Sequence, residues 1–193
     1  MNKIVLYDQE DFLGESKQFV RNVPDLALKM FNDTAKSARV EGLHWVAYKD
    51  ADYKGEFIIF APGDYTTLGP NFRYKLSSLR LVEEELLNPE IVLYEDVDYK
   101  GEHRGVKKEA DNLQRADFNN LVSSHQVKQG VWILHQGYNQ TRARLITFKG
   151  DKWRSYFDYG WNDKLSSLRP LENSYTEVGA SPSVRLEHTS CGM

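Results

Sequence analysis

The sequence predicts an all-β chain of antiparallel sheets, built from four copies of one repeat that are arranged in two pairs. Short runs rich in Val, Ile, Tyr, Phe and Trp alternate with turns rich in Gly, Asn and Asp, and no long stretch has a helical period. Four segments also begin with the same apolar, aromatic-ended strand: VLYDQEDFLGE, VAYKDADYKGE, VLYEDVDYKGE and ILHQGYNQTRA.

The spacing of the repeats predicts two domains. Each repeat has an anchor residue at the end of its first strand, namely Tyr7, Tyr48, Tyr94 and His135. The anchors are 41, 46 and 41 residues apart, so the middle interval holds an insertion, VEEELLNPEI, whose acidic run and Asn-Pro break suit a connector. We predict domains over residues 1–86 and 92–172, a linker over 87–91, and a polar C-terminal tail or linker over 173–193.

Each of the first three repeats is predicted to form a hairpin closed by two aromatic rings and a glycine. An aromatic residue follows the anchor by five positions and a glycine by seven. Glycine permits a backbone conformation that a β-carbon would oppose, so the hairpin can fold over and stack its rings. The fourth repeat has Gln140 and Arg142 at these positions, and we expect its hairpin to be looser or differently shaped.

Two further segments are expected to form a helical turn or two. They are PDLALKMF, residues 24–31, and EADNLQRADF, residues 109–118. Both lie at the same place in their pair of repeats, between the second strand and a polar run.

The composition excludes several classes of function. With a net charge of −3, the chain of 193 residues offers no basic surface for nucleic acid. Its single cysteine, Cys191, allows no internal disulfide and no cysteine-based zinc site. The start, MNKIVLYDQEDF, is too polar for a signal peptide, and no apolar run is long enough for a membrane helix. We therefore expect a cytoplasmic protein, or one exported by a non-classical route, that does not insert into a membrane by itself.

Catalysis is not expected. The histidines are scattered along the chain, at His44, His103, His125, His135 and His188. No GxSxG or HExxH motif is present, and the cysteine lies in a polar tail. Paired carboxylates such as Asp96 and Asp98 fall in a solvated turn, so the chain is predicted not to be an enzyme.

The hairpin pattern resembles the βγ-crystallin family, whose domains pair two Greek-key motifs into a β-sandwich. The resemblance covers roughly residues 1–172 and includes GLHWVAY and GVWILH, which are similar to the family's tryptophan-bearing strand before the second motif of each domain. It implies two βγ-crystallin domains, each with two Greek keys. Among vertebrate members, the chain looks most similar to amphibian epidermis differentiation-specific proteins and to the crystallin halves of aerolysin-like toxins.

A polar run follows each anchor at a nearly fixed distance. The runs NDTAKS, RYKLSS and NNLVSS begin 25 residues after their anchors, and NDKLSS begins 27 residues after its own. The resemblance identifies these runs with the family's calcium signature, Asn/Asp-Asn/Asp-x-x-Ser/Thr-Ser, which residues 119–124 and 162–167 satisfy completely. Because calcium takes about six to eight oxygen ligands, no single short run can supply them all.

The resemblance implies that the two runs of a domain exchange ligands. Each site would combine a second-position side chain, the carbonyl that follows it, a fifth-position hydroxyl from the paired run and a hairpin carbonyl. In the second domain these groups are Asn120, Leu121 and Ser166 for one site, Asp163, Lys164 and Ser123 for the other, and the hairpin carbonyls of Glu95 and Gln136.

In the first domain the same exchange implies one surviving site. Asp33, Thr34 and Ser77 retain the oxygens of that site. Lys36 and Tyr74 place a cation and an aromatic ring at the corresponding positions of the other site, which we expect not to bind calcium.

Ordinary turn chemistry is the alternative explanation of the polar runs, because Asn, Asp and Ser often bond their own backbone. The last serine of each run is assigned to bonds within the folded hairpin: Ser37, Ser78, Ser124 and Ser167. The sequence favours a calcium-binding structural or stress protein of a non-lens tissue. The alternative is a recognition or regulatory module of a larger aerolysin-like protein, with a pore-forming segment or another protein as its partner.

Overall fold

The computed structural model describes residues 1–116, 118, 121–140 and 142–175. Within these ranges the chain forms two compact units. The first comprises Met1–Glu83 with residues 174–175, and the second comprises Glu84–Asn173. In the first unit, the backbone of Tyr175 makes a hydrogen bond with His44.

Seven strands and three short helices form the first unit. The strands are β1 (Lys3–Tyr7), β2 (Ser16–Phe19), β3 (Ser37–Glu41), β4 (Trp45–Asp50), β5 (Lys54–Phe60), β6 (Gly63–Tyr65) and β7 (Ser78–Leu81). The helices are 3₁₀ turns at Glu10–Phe12 and Ala27–Lys29, and one α-helical turn, α1 (Gly69–Phe72).

The two repeats of the first unit exchange strands. One sheet has the order β2-β1-β3-β6 and the other has the order β5-β4-β7. Strand β6 belongs to the second repeat by sequence but pairs with β3 of the first repeat. In return, Val23 of the first repeat forms an antiparallel bridge with Leu79 on β7. This reciprocal exchange is the Greek-key pairing that the sequence predicts.

The described residues of the second unit form six strands and four 3₁₀ turns. The strands are β8 (Glu90–Asp96), β9 (Lys100–Val106), β10 (Ser124–Gln129), β11 (Val131–His135), β12 (Arg144–Phe148) and β13 (Ser167–Pro170). The turns are Val97–Tyr99, Leu113–Ala116, Tyr138–Gln140 and Phe157–Tyr159.

The second unit repeats the topology of the first. Its sheets have the orders β10-β8-β9 and β12-β11-β13, and every strand pair is antiparallel. The bridges Ala110–Leu168 and His125–Trp153 again join each repeat to the sheet of the other. The predicted all-β fold of two Greek-key domains is confirmed. The 3₁₀ turns Ala27–Lys29 and Leu113–Ala116 fall inside the two segments predicted to be helical.

A buried tryptophan on the first strand of the second repeat lies in the core of each unit. Trp45 on β4 and Trp132 on β11 are both fully buried. They pack with inward-facing aliphatic and aromatic side chains contributed by both sheets. Such a core between two sheets is the expected product of strands whose alternate residues face inward.

The first three hairpins close as predicted. Their ring pairs have centroid separations of 5.7 Å for Tyr7 and Phe12, 6.0 Å for Tyr48 and Tyr53, and 5.8 Å for Tyr94 and Tyr99. Their glycines have φ values of 76°, 77° and 73°, which a residue with a β-carbon rarely adopts. The last serine of every polar run donates to a hairpin carbonyl and accepts a hairpin N–H, so the structural role predicted for these serines is confirmed.

The expectation for the fourth hairpin was wrong. Asn139 and Gln140 have φ values of 51° and 59°, as the matching residues of the other hairpins do, and Arg142 has a φ of 62° at the glycine position. In the second and third hairpins, a β-carbon on the glycine would meet an aspartate side chain two residues after the anchor, at 2.3 and 2.7 Å. The fourth hairpin has Gly137 at that aspartate position. The glycine thus lies at the earlier of the two positions in the fourth hairpin, not at the later one. The absence of a side chain at residue 137 leaves room for Arg142.

No helix in the described part of the chain is long and apolar enough to cross a membrane.

Candidate metal centres

The polar runs of each unit are held by one repeated set of backbone hydrogen bonds. The fifth residue of each run donates its N–H to the carbonyl of its own anchor: Lys36 to Tyr7 (2.8 Å), Ser77 to Tyr48 (2.8 Å), Ser123 to Tyr94 (3.0 Å) and Ser166 to His135 (3.0 Å). Its carbonyl accepts an N–H from the turn before the paired run: Leu68 to Lys36, Leu26 to Ser77, Tyr156 to Ser123 and Leu113 to Ser166. Each fifth residue therefore touches both repeats of its unit.

In the first unit, the predicted ligands Asp33 and Ser77 come together. The Ser77 hydroxyl lies 3.5 Å from Oδ1 of Asp33, although the two residues are 44 positions apart in sequence. The Asp33 N–H also donates to the Leu76 carbonyl at 3.0 Å. Thr34 follows Asp33, and its hydroxyl donates to the Asn32 carbonyl at 2.8 Å, a bond of the turn-forming kind.

The second residue of each described run has the same backbone conformation. Asp33, Tyr74 and Asp163 have φ values of 51°, 60° and 53°. At the two aspartates, the side-chain amide of the preceding asparagine donates to the carboxylate: Asn32 Nδ2 to Asp33 at 2.9 Å and Asn162 Nδ2 to Asp163 at 2.6 Å. These bonds join two side chains and are therefore not the backbone bonds of the turn-chemistry alternative, but they engage the same carboxylates that are candidates for metal binding.

The remaining position in the first unit holds the two residues predicted to prevent calcium binding. The Lys36 ammonium lies 4.7 Å from the centroid of the Tyr74 ring. Both side chains line a cavity of about 640 Å³, together with the hairpin carboxylates Asp8, Glu10 and Asp11. A cation of the chain itself therefore lies among these acidic groups, in contact with an aromatic face.

In the second unit, one cavity gathers members of both predicted sites. Asp163, Lys164, Ser166 and Gln136 line a space of about 520 Å³. Ser166 belongs to one predicted ligand set, Asp163 and Lys164 belong to the other, and Gln136 is one of the two predicted hairpin carbonyls. All four residues belong to the fourth repeat, so this cavity joins the fourth hairpin to its own polar run and includes no described residue of the paired run.

The other predicted ligands of the second unit lie elsewhere around the paired runs. Glu95 lies on β8, one residue beyond the anchor that accepts the Ser123 N–H. Ser123 is buried, whereas Leu121 is exposed and offers only its carbonyl. Asn120 lies outside the described residues.

The donor set around the cavity fits a cation, and one further oxygen of the same run lacks a hydrogen-bond donor in the part of the chain that the structure describes. Oδ1 of Asn162 is buried, and none of the described residues donates a hydrogen bond to it. A buried amide oxygen without a donor is costly, because it loses its bonds to water. Hard oxygens of amide, carboxylate, hydroxyl and carbonyl type around one cavity are the groups that calcium binds. No cluster of three or more His, Cys, Asp or Glu side chains is present among the described residues.

The sequence did not predict the position of Arg142, which lines the same cavity as Asp163. The sequence showed that Arg142 replaces the hairpin glycine but did not show that Arg142 lines this cavity. The cavity therefore includes a permanent cation, whose charge opposes the binding of another cation there.

A buried histidine network near the second unit's polar runs was also missed. His125 follows the last serine of its run, and its Nδ1 lies 2.6 Å from the Tyr156 hydroxyl and its Nε2 lies 2.9 Å from Oγ1 of Thr147. Its ring stacks on Trp153. Burial lowers the pKa of His125 to about 3, so the imidazole is neutral near neutral pH.

His135, the fourth anchor, is buried too. Burial, together with the nearby cations Arg144 and Arg169, lowers the pKa of His135 to about 4. The sequence did not predict that His125 and His135 are buried, because their burial depends on how the repeats pair.

The sequence matches the family model described as Beta/Gamma crystallin over residues 3–82 and 90–171. It is 33% identical over 181 residues to the "Epidermal differentiation-specific protein" of Cynops pyrrhogaster, a match that covers 94% of this chain and 53% of that protein. It is 28% identical over 175 residues to the human "Beta/gamma crystallin domain-containing protein 1", a match that covers 88% of this chain and 8% of that protein. The chain therefore spans about half of the first relative and a small part of the second.

Among solved structures, the chain resembles the "beta gamma crystallin from Ciona Intestinalis", with 30% sequence identity and a TM-score of 0.40. That match covers 41% of this chain and 98% of the other.

Proposed function

The chain belongs to the beta/gamma-crystallin family, and we propose that it is a non-enzymatic, calcium-binding structural protein of that family. The name of its epidermal relative supports a non-lens tissue, and epidermis is our proposal. We also propose a cytoplasmic location.

The observation that carries the calcium proposal is the pairing of polar runs across repeats. The Ser77 hydroxyl lies beside the Asp33 carboxylate of the other repeat, and both groups are oxygen ligands that calcium binds. In the second unit, Asp163, Lys164 and Ser166 line one cavity with Gln136; all four belong to the fourth repeat, so this cavity adds oxygens but no contact between repeats. Oδ1 of Asn162, in the same run as Asp163, is buried without a donor among the described residues, but Asn162 is not among the residues that line the cavity.

The groups that would hold calcium are the predicted ones. The first unit would use Asp33, the Thr34 carbonyl and Ser77. The second would use the sets built around Asn120 and Asp163. When bound, calcium supplies a crosslink between two repeats that are otherwise joined by hydrogen bonds and core packing.

The affinity is expected to be micromolar or weaker. The ligand sets contain few carboxylates, and calcium affinity increases with ligand charge and with the rigidity of the site. Arg142 is expected to lower the calcium affinity of the second unit further, because Arg142 lines the same cavity and its positive charge repels the ion.

Titration calorimetry of the chelator-stripped protein tests this function. We expect two to three calcium ions to bind. Absence of binding heat at millimolar calcium, confirmed by equilibrium dialysis, would contradict the proposal. Magnesium is the matched control ion, because its strict octahedral geometry fits such irregular ligand sets poorly.

A second candidate function is a recognition or regulatory module of a larger, pore-forming protein. The observation that favours a module of a larger protein is length, because this chain covers 53% of one relative and 8% of the other; it does not bear on pore formation. The size of the native gene product, measured by immunoblot of the source tissue, tests this candidate. A product of the size of this chain would exclude it.

A further inference from the structure

A groove on the first unit combines an apolar lining with positive charge. It has a volume of about 610 Å³ and includes Val20, Val23, Pro24 and Leu28 among its lining residues. We call it the basic groove, because Lys17, Arg21 and Lys29 also line it. It lies beside β2, the edge strand of its sheet, and includes none of the proposed calcium ligands.

A short turn next to the basic groove exposes two large apolar side chains. The 3₁₀ turn Ala27–Lys29 ends at Met30, which has a left-handed backbone with a φ of 53°. Its N–H donates to the Ala27 carbonyl at 3.0 Å, so the turn is closed by hydrogen bonds. Leu28 is 77% exposed and Met30 is 88% exposed. Isolated exposed apolar residues are common, but here two project from one closed turn beside an apolar groove.

The charge of the basic groove is not neutralised within the described chain. No ion pair found among the described residues involves Lys17, Arg21 or Lys29. The Lys17 ammonium donates to the Lys29 carbonyl, which brings both residues to the same rim. The one carboxylate that lines the groove, Asp25, accepts the Ala27 N–H at 2.8 Å. The lining therefore carries three cations and one carboxylate, a net charge of +2, around an apolar surface on a chain whose net charge is −3.

We propose that the basic groove and the Leu28–Met30 turn form a docking surface for an anionic membrane. The cations match the negative charge of the lipid headgroups, and the projecting apolar side chains can enter the interfacial region. Two highly exposed apolar side chains on one turn can enter a lipid interface, whereas a peptide would need a matching apolar side chain at each contact. The protein lies on the membrane in this mode and does not span it. This docking is independent of the proposed calcium binding.

Vesicle sedimentation with the full chain, at low ionic strength and with chelator present, tests the docking. Vesicles of phosphatidylcholine mixed with phosphatidylserine are expected to bind the protein, and vesicles of phosphatidylcholine alone are expected to bind it far less. The variant Arg21→Glu with Lys29→Glu is expected to lower the partition coefficient by more than about tenfold, because each cation near an anionic surface contributes about fivefold. Leu28→Ser with Met30→Ser is expected to lower it by a similar factor through loss of apolar contact.

The matched control reverses two exposed lysines of the second unit, Lys149→Glu with Lys152→Glu, and changes the net charge by the same amount. It is expected to change binding by less than about threefold, since those lysines lie outside the surface. Circular dichroism checks that each variant folds. Equal binding to both kinds of vesicle, no binding to either, or an equal loss in the control would overturn the proposal. Binding of an acidic peptide without binding of vesicles would also overturn it, in favour of a protein partner.

Discussion

The ammonium of Lys36 lies 4.7 Å from the centre of the Tyr74 ring, although the two residues belong to different repeats. Lys36 is the fifth residue of its run and Tyr74 is the second residue of the paired run. The reciprocal pair in the same unit is Ser77, the fifth residue of the second run, with Asp33, the second residue of the first run. The unit therefore pairs a carboxylate with a hydroxyl at one position, and a cation with an aromatic ring at the other.

Replacing Lys36 by Ser is expected not to add a calcium ion to the first unit, because the Tyr74 ring still offers no suitable oxygen. Adding Tyr74→Asn to Lys36→Ser is expected to add about one ion, since asparagine tolerates the left-handed backbone at that position and supplies an amide oxygen. Equilibrium dialysis measures the stoichiometry. A full extra ion in the single variant would show that Tyr74 does not disable the site.

Replacing Asp163 by Ala is expected to remove one calcium ion from the second unit. It should also weaken the neighbouring site, because the same run supplies Ser166 to it. Titration calorimetry measures both effects. Asp158→Ala is the control, since Asp158 is exposed and lies in the preceding turn, outside the cavity. Equal stoichiometry in the wild type and in Asp163→Ala would show that the ligand assignment is wrong.

Much of the fold could be predicted because each hairpin repeats local rules. A glycine seven residues after the anchor predicts a left-handed backbone, and the structure has that conformation in each of the first three hairpins. The fourth hairpin was mispredicted because the compensating residue, Gly137, lies five residues before Arg142 and acts through space. The environments of His125 and the basic groove were not predictable, since both depend on which segments the Greek keys bring together.

The interchange at the fourth hairpin predicts a rescue in the third. Gly101→Ala is expected to destabilise the second unit by about 1–2 kcal/mol, the usual cost of a left-handed backbone with a β-carbon. The contact with the Asp96 carboxylate, 2.7 Å from the new β-carbon, adds to this cost. Adding Asp96→Gly to Gly101→Ala should recover the part that is due to the contact. Urea denaturation measures the cycle, and strictly additive effects would contradict the spatial explanation.

Acid is expected to destabilise the second unit before its carboxylates are protonated. The pKa of His125 falls from 6.5 in the unfolded chain to about 3 in the folded one, so the unfolded state binds the proton more readily. Stability is complete above about pH 6.5 and is lost as the pH falls towards 3, by about 2 kcal/mol at pH 5 from this residue. The lowered pKa of His135 acts in the same direction.

Urea unfolding in chelator, at about pH 7 and about pH 5, measures this loss. Because His125 is buried in a network, His125→Gln is the variant to compare, since its amide can bond Tyr156 without taking up a proton. The variant should be less stable at neutral pH but should lose less stability on acidification. An unchanged pH dependence would exclude His125 as the group responsible.

Calcium is expected to stabilise the second domain more than the first. A ligand that binds only the folded state stabilises it by about 2.7 kcal/mol for each site at a hundredfold excess over Kd. With two ligand sets against one, residues 90–193 should gain roughly twice as much as residues 1–86 if the affinities are equal.

We predict that each half folds alone, because each retains its exchanged Greek keys. The first half loses the backbone bond from Tyr175 to His44, so the comparison must use the calcium-induced change in Tm and not the Tm itself. Thermal melts with calcium and with chelator measure that change. A larger change in the first half would mean that Lys36 and Tyr74 do not disable their site.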